Sequence, residues 1–159
     1  MTPCQQADLF VVPLLDGSHG LGQVIVAPRD RGRKSYWPAG AAFCLLTLRR
    51  ATADMSAPPV GKSEIISFSW IDAAIVGTDL WPIIGFEQLP RANALADPDS
   101  IALLGDITPT DAPIIEAFLN AYHGLFHWDG FPDTAFFDHM LASEVKRPTS
   151  ATFSKGTPK

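Results

Sequence analysis

The sequence predicts an α+β domain, in which a strongly twisted antiparallel β-sheet, open or curled into a partial barrel, precedes two C-terminal α-helices. A series of apolar, β-branched runs of strand length alternates with turn residues before residue 90. The connectors between these runs are too short or too irregular to hold crossover helices, which favours antiparallel pairing. Apolar residues recur at helical spacing only after residue 110. We assign residues 1–147 to one domain and residues 148–159 to a flexible tail.

The first two strands form a predicted hairpin within residues 9–27. Two apolar runs flank residues 16–20, DGSHG, whose glycines supply the backbone freedom that a tight reversal requires. Pro13 has no N–H group to donate, so we expect it at a sheet edge or a bulge. Gln23 interrupts the apolar side of the second strand, and Gly22 leaves room for a neighbouring backbone or aromatic ring.

Further strands are predicted between the hairpin and residue 90. Residues 41–48, AAFCLLTL, form a continuous apolar run that predicts a central strand covered on both faces. Residues 65–71 alternate in part, and one of their faces is the better candidate for the core. The residues of that face are Ile66, Phe68 and Trp70. Residues 81–86 form a short strand containing Pro82, which we expect at an edge of the sheet or starting at that proline.

Two helices are predicted in the C-terminal third. The first begins at Thr110 or Asp111, either of which can cap the exposed N–H groups, and Gly124 marks its end. Its apolar stripe consists of Ile114, Ile115, Phe118, Leu119, Tyr122 and Leu125. The second begins near residue 131 and buries Phe136, Phe137, Met140 and Leu141. After Lys146 only one large apolar residue remains, which cannot offset the entropy of ordering the tail.

Composition and charge restrict the function classes. Of 159 residues, 47% are apolar and 18% charged, and no apolar run approaches the ~18 residues that a bilayer crossing needs. Without a secretory signal pattern the expected location is the cytoplasm, where Cys4 and Cys44 should stay reduced. Cys44 lies among apolar residues, which makes a thiol inert as a nucleophile. The net charge of −5 opposes nucleic-acid binding and favours a basic partner. We predict no cofactor.

The densest group of ligand-type side chains lies between residues 123 and 139. It consists of His123, His127, Asp129, Asp133, Asp138 and His139. This group supports an alternative prediction, a metal-dependent hydrolase, since two histidines four residues apart share one face of a helix. Gly124 breaks the helix between them, which argues against metal binding. Asp133, Glu144 and Lys146 spell the skeleton of a PD-(D/E)xK nuclease site, but along a predicted helix the two acids lie about 16 Å apart and do not converge.

Two stretches resemble the Imm26 family of bacterial immunity proteins. Residues 8–24, DLFVVPLLDGSHGLGQV, follow the order of features at that family's opening, and residues 80–85, LWPIIG, are similar to its tryptophan-centred strand. Ser18 and His19 stand where such chains often carry an aromatic residue. The resemblance implies a non-catalytic protein that binds and neutralises a cognate toxin. A toxin that attacks nucleic acid, and is therefore basic, fits the negative charge, and a generic adaptor domain is a further alternative.

Aromatic and acidic side chains are the candidates for partner binding. Tryptophan is enriched at the hot spots of protein interfaces, and carboxylates beside it would meet a basic partner. The candidate residues are Trp37, Trp70, Asp72, Asp79 and Trp81. No nucleophile elbow, phosphate-binding glycine loop or paired-cysteine motif occurs in the sequence, which favours a non-enzyme.

Overall fold

A five-stranded sheet followed by two helices forms the part of the chain that the structure describes. This computed structural model describes residues 4–31, 38–51, 59–90, 109–142 and 145–154. The strands are β1 Asp8–Pro13, β2 His19–Val26, β3 Ala41–Ala51, β4 Ile65–Asp72 and β5 Ile83–Phe86; the helices are α1 Ala112–Tyr122 and α2 Phe136–Met140. Neighbouring strands are all antiparallel, in the order β4-β3-β2-β1-β5, and the sheet is not closed. The predicted α+β class is confirmed.

Gly22 lets β2 pass over the ring of Phe10, its cross-strand partner in β1. A Cβ atom added at Gly22 would lie 2.4 Å from Phe10 Cζ and 3.1 Å from the carbonyl oxygen of Leu45. No side chain fits in that space, because non-bonded carbon atoms pack about 3.5–4.0 Å apart. The predicted room for an aromatic ring at Gly22 is confirmed.

β3 is buried on both of its faces. Cys44 and Leu46 pack in the cluster that contains α1, here called the helix-side cluster. Phe43 and Leu45 pack on the other face of the sheet, in what we call the opposite cluster. All four side chains are fully buried, as expected for a strand that lies between β2 and β4. The prediction of a strand covered on both faces is confirmed.

A bulge changes which side chains of β4 share a face. The register with β3 shifts at Ile66, so this residue is inserted between two regular pairs. Ile66 packs in the helix-side cluster, whereas Trp70 and the half-buried Phe68 belong to the opposite cluster. The prediction that these three residues form one core face was wrong, because strict alternation assumes a strand without a bulge.

α1 packs its apolar stripe against the sheet and ends as predicted. Pro113 lies in its first turn, and Gly124 follows it with a φ of +77°, a value that glycine adopts without strain. Its buried apolar residues are Ile115, Phe118, Leu119 and Ala121. α2 is short, and its buried Phe137 ring lies 5.9 Å from the ring of Phe118, centroid to centroid. Neither of these two helices is long and apolar enough to span a membrane.

Residues 148–154 contact the loop that follows α1. Ser154 donates to both carboxylate oxygens of Asp129, through its N–H (2.8 Å) and its hydroxyl (3.0 Å). The ring of Phe153 packs against the helix-side cluster. The sequence predicted a tail without packing partners from residue 148, and these contacts differ from that expectation. The composition of the tail did not predict these contacts, because one aromatic ring and a few hydrogen bonds produce no hydrophobic periodicity in the sequence.

Candidate functional site

Trp81, a predicted partner-binding residue, lies in the core. Its side chain is fully buried, and its ring stacks on Phe10 with centroids 5.7 Å apart and planes 2° from parallel. The indole N–H donates to Glu116 Oε2 of α1 at 3.4 Å. Trp81 therefore joins the loop before β5 to the sheet and to α1, and its ring presents no surface to a partner.

The other predicted binding residues do not form one surface. Trp70 is only 6% exposed and packs on Phe43, with ring centroids 5.0 Å apart. Asp72 is exposed at the end of β4 and accepts a hydrogen bond from the N–H of Ala74 (3.0 Å). Asp79 is exposed in the loop before β5, at the opposite edge of the sheet. Trp37 lies outside the described residues.

The histidine and aspartate group of residues 123–139 does not converge. Asp129 accepts hydrogen bonds from Ser154, which lower the pKa of its carboxyl group. Asp138 is bound by the indole N–H of Trp128 (3.0 Å) and by Arg147 (3.0 Å). Within the described ranges, no three His, Cys, Asp or Glu side chains lie together as metal ligands would. Glu144 of the nuclease-like skeleton lies outside the described residues.

A polar corner joins the hairpin turn, β3 and the end of α1. Arg50 pairs with Asp16 and donates to the Ser18 hydroxyl (3.1 Å), which itself donates to Asp16 (2.6 Å). Hydrogen bonds from Ser18 lower the pKa of Asp16, and the charge of Arg50 acts in the same direction. Burial, followed by the charge of Arg50, lowers the pKa of His123. This corner therefore favours a neutral His123 and makes the stability of the fold depend on pH.

Two large apolar side chains are exposed at the edge strand β5, one just before the strand and one at its last residue. Leu80 is 64% exposed and Phe86 is 76% exposed. The acidic residues Asp79 and Glu87 directly adjoin them in the sequence, and Asp8 pairs with Phe86 across the strands. We call the exposed part of residues 79–87 the β5 edge surface. It combines exposed apolar area with negative charge.

The main chain of β5 presents hydrogen-bonding groups to solvent along this surface. The N–H of Glu87 donates to Ala7 (3.2 Å), on the β1 side. Because successive N–H groups of a strand point in opposite directions, the N–H of Phe86 points away from β1. Among the residues that the structure describes, no strand pairs with this outer side. β5 is therefore an open edge within the described part of the sheet.

Sequence reasoning placed Asp79 and Trp81 among the binding candidates but missed Leu80 and Phe86. The structure brings Asp79 onto the β5 edge surface and buries Trp81 beneath it. The available signal for Phe86 was its place at the end of a proline-bearing edge strand, directly before Glu87. Aromatic residues there have neighbours on one side only, so their burial is not expected.

No family model, curated protein or solved structure matches the chain. The resemblance to Imm26 proteins therefore depends on residues 8–24 and 80–85 and stays a hypothesis. These two stretches include β1, the start of β5 and the exposed Leu80. The residues that carry the resemblance therefore overlap in part with the β5 edge surface.

Proposed function

We propose that this chain is a non-catalytic immunity protein, which binds a cognate toxin through the β5 edge surface and neutralises it by covering the toxin's active surface. One observation supports the proposal most strongly. A phenylalanine that is 76% exposed lies at the end of an open edge strand, where a monomer gains little from it. Exposed aromatic side chains of this kind provide the anchors of protein interfaces.

Charge supports a basic toxin as the partner. The chain carries 12 basic and 17 acidic residues, and Asp79 and Glu87 flank the apolar side chains of the surface. A protein that attacks nucleic acid needs positive charge to approach phosphates. An acidic immunity protein would be attracted to the same basic surface, and complementary charge would accelerate association.

The contacts of the candidate ligands favour binding over catalysis. Asp129 and Asp138 have structural partners in Ser154, Trp128 and Arg147, and ligation of a metal would require them to exchange those bonds. The generic adaptor alternative shares the same surface, and only the identity of the partner separates it from an immunity protein. We further propose a cytoplasmic location, since Cys44 is a fully buried free thiol in β3.

The decisive experiment uses the product of the gene next to this one, which the proposal expects to be the toxin. We expect cells that express this toxin to survive only when the chain is co-expressed. An inactivated toxin should form a stoichiometric complex with the purified chain. The association rate should fall with added salt, as the Debye length shortens from ~10 Å at 0.1 M to ~3 Å at 1 M. Failure of the neighbouring protein to bind would refute the immunity proposal, and a salt-independent rate would refute electrostatic steering.

A further inference from the structure

We propose that the toxin contributes an extended, basic segment, which adds to the sheet as a sixth strand along the outer side of β5. This inference depends on the proposed function and specifies how the same surface binds. It predicts that main-chain hydrogen bonds, and not only the exposed side chains, hold the complex together. A toxin segment of about five residues is enough, because a strand rises about 3.3 Å per residue and β5 is short.

The directions of the N–H groups of β5 support strand addition. The N–H of Val11 in β1 donates to Pro82 (3.0 Å), and that of Glu87 donates to Ala7 (3.2 Å). The pairing of Leu9 with Gly85 lies on the Glu87 side of a register shift, which separates it from the pairing of Phe10 with Ile83 and from the bond to Pro82. The N–H of Phe86, next to that of Glu87, therefore points to the outer side, whereas the exposed ring of Phe86 projects from a face of the sheet. A strand placed there would accept this hydrogen bond and contact the ring.

The opposite edge of the sheet is less suitable for strand addition. Along β4, the carbonyl oxygen of Trp70 accepts a hydrogen bond from Thr110 (2.8 Å), and that of Ile66 accepts one from Ala142 (2.8 Å). These bonds occupy outward-facing carbonyl groups, so an added strand would have to displace both segments. Near β5, the N–H of Gly77 donates to the carbonyl oxygen of Trp81 (2.8 Å), before the strand begins. Within the described part of the chain, no such bond is present on the outer side of Ile83–Phe86.

Charge identifies the occupant as a basic partner and not as a second copy of this chain. Asp79 precedes the edge strand and Glu87 follows it, and Asp8 lies beside Phe86 in β1. Pairing of two β5 strands would bring these acidic groups of both copies close together, which is unfavourable. Lysine or arginine residues at the ends of a toxin segment would instead meet opposite charge at both ends of β5.

Two variants of one residue separate main-chain pairing from side-chain contact. Phe86→Ala removes the ring and keeps the N–H group, whereas Phe86→Pro removes both. An edge strand tolerates proline where its N–H points to solvent, and circular dichroism would confirm that the variant folds. With the inactivated toxin as the probe, we expect Phe86→Ala to weaken binding about 30-fold. Phe86→Pro should weaken it by at least about tenfold more, because the toxin's buried acceptor then loses its donor.

The outcomes distinguish this inference from the proposed function. Equal affinities of the alanine and proline variants would overturn strand addition, while leaving the toxin as the partner. Absence of binding by the unchanged chain would overturn both. Amide hydrogen exchange of the unchanged chain, measured by NMR, gives an independent answer if Phe86→Pro does not fold. We expect the Phe86 amide to exchange much more slowly in the complex, and an unchanged rate would overturn strand addition.

Discussion

Replacing Trp81 by alanine should lower the free energy of unfolding far more than replacing Phe86, although both are large aromatic residues of the same segment. Trp81 is fully buried, and a tryptophan buries about 150–250 Å². At ~25 cal/mol per Å² this area corresponds to about 4–6 kcal/mol. Buried aromatic residues replaced by alanine typically cost about 3–5 kcal/mol. We therefore expect Trp81→Ala to lower the free energy of unfolding by about 3–5 kcal/mol.

Phe86→Ala should leave stability nearly unchanged. Phe86 is 76% exposed, so the remaining quarter of its surface corresponds to about 1 kcal/mol at most. With an m-value of about 2 kcal/mol/M, the urea midpoint should fall by about 1.5–2.5 M for Trp81→Ala and by no more than ~0.5 M for Phe86→Ala. Circular dichroism measures both midpoints without depending on tryptophan. Equal shifts would contradict the burial of Trp81 on which our choice of surface residues depends.

Three further predictions concern the fold. Gly22→Ala should lower the free energy of unfolding by about 1–3 kcal/mol, because the new Cβ atom meets the Phe10 ring at 2.4 Å. In a double-mutant cycle this loss should be smaller when Phe10 is replaced by leucine. Additive losses would refute the clash. The pKa of His123 is lowered in the folded chain, so its unfolded state binds a proton more readily. The contribution of His123 to stability is present above about pH 6.5 and is lost as pH falls below that value. His123→Gln should therefore weaken the pH dependence of the urea midpoint. An unchanged pH dependence would refute the assignment of this effect to His123. Deleting residues 148–159 should lower the free energy of unfolding by more than about 1 kcal/mol. An unchanged urea midpoint would show that Phe153 does not stabilise the fold.

Local patterns predicted the elements that depend on local physics. The hairpin follows from two apolar runs around a glycine-containing turn, and the end of α1 follows from Gly124, whose φ is +77°. The space above Phe10 followed from Gly22, since a glycine inside a strand indicates close approach. A continuous apolar run likewise predicted the doubly covered strand β3. Each of these features depends on residues close in sequence.

Features set by distant contacts were not predictable in this way. β5 pairs with β1, about 75 residues earlier in the sequence, and this pairing buries Trp81 while leaving Phe86 at an edge. Tryptophan was favoured as a binding residue because it is frequent at interfaces, but that frequency does not distinguish a stacked core ring from an exposed one. The contacts of the tail were missed for a similar reason. The main-chain N–H of Trp128 donates to the carbonyl oxygen of Thr152 at 2.8 Å. Such a main-chain bond does not depend on the side-chain pattern.

The affinity of the inactivated toxin for two matched variants tests the central claim most directly. Leu15, in the turn between β1 and β2, is 71% exposed and Phe86, at the end of β5, is 76% exposed, so each variant removes a comparably exposed apolar side chain. Binding through this surface predicts that Phe86→Ala raises the dissociation constant about 30-fold, whereas Leu15→Ala changes it less than about twofold. Equal effects, or a larger effect of Leu15→Ala, would contradict binding at β5.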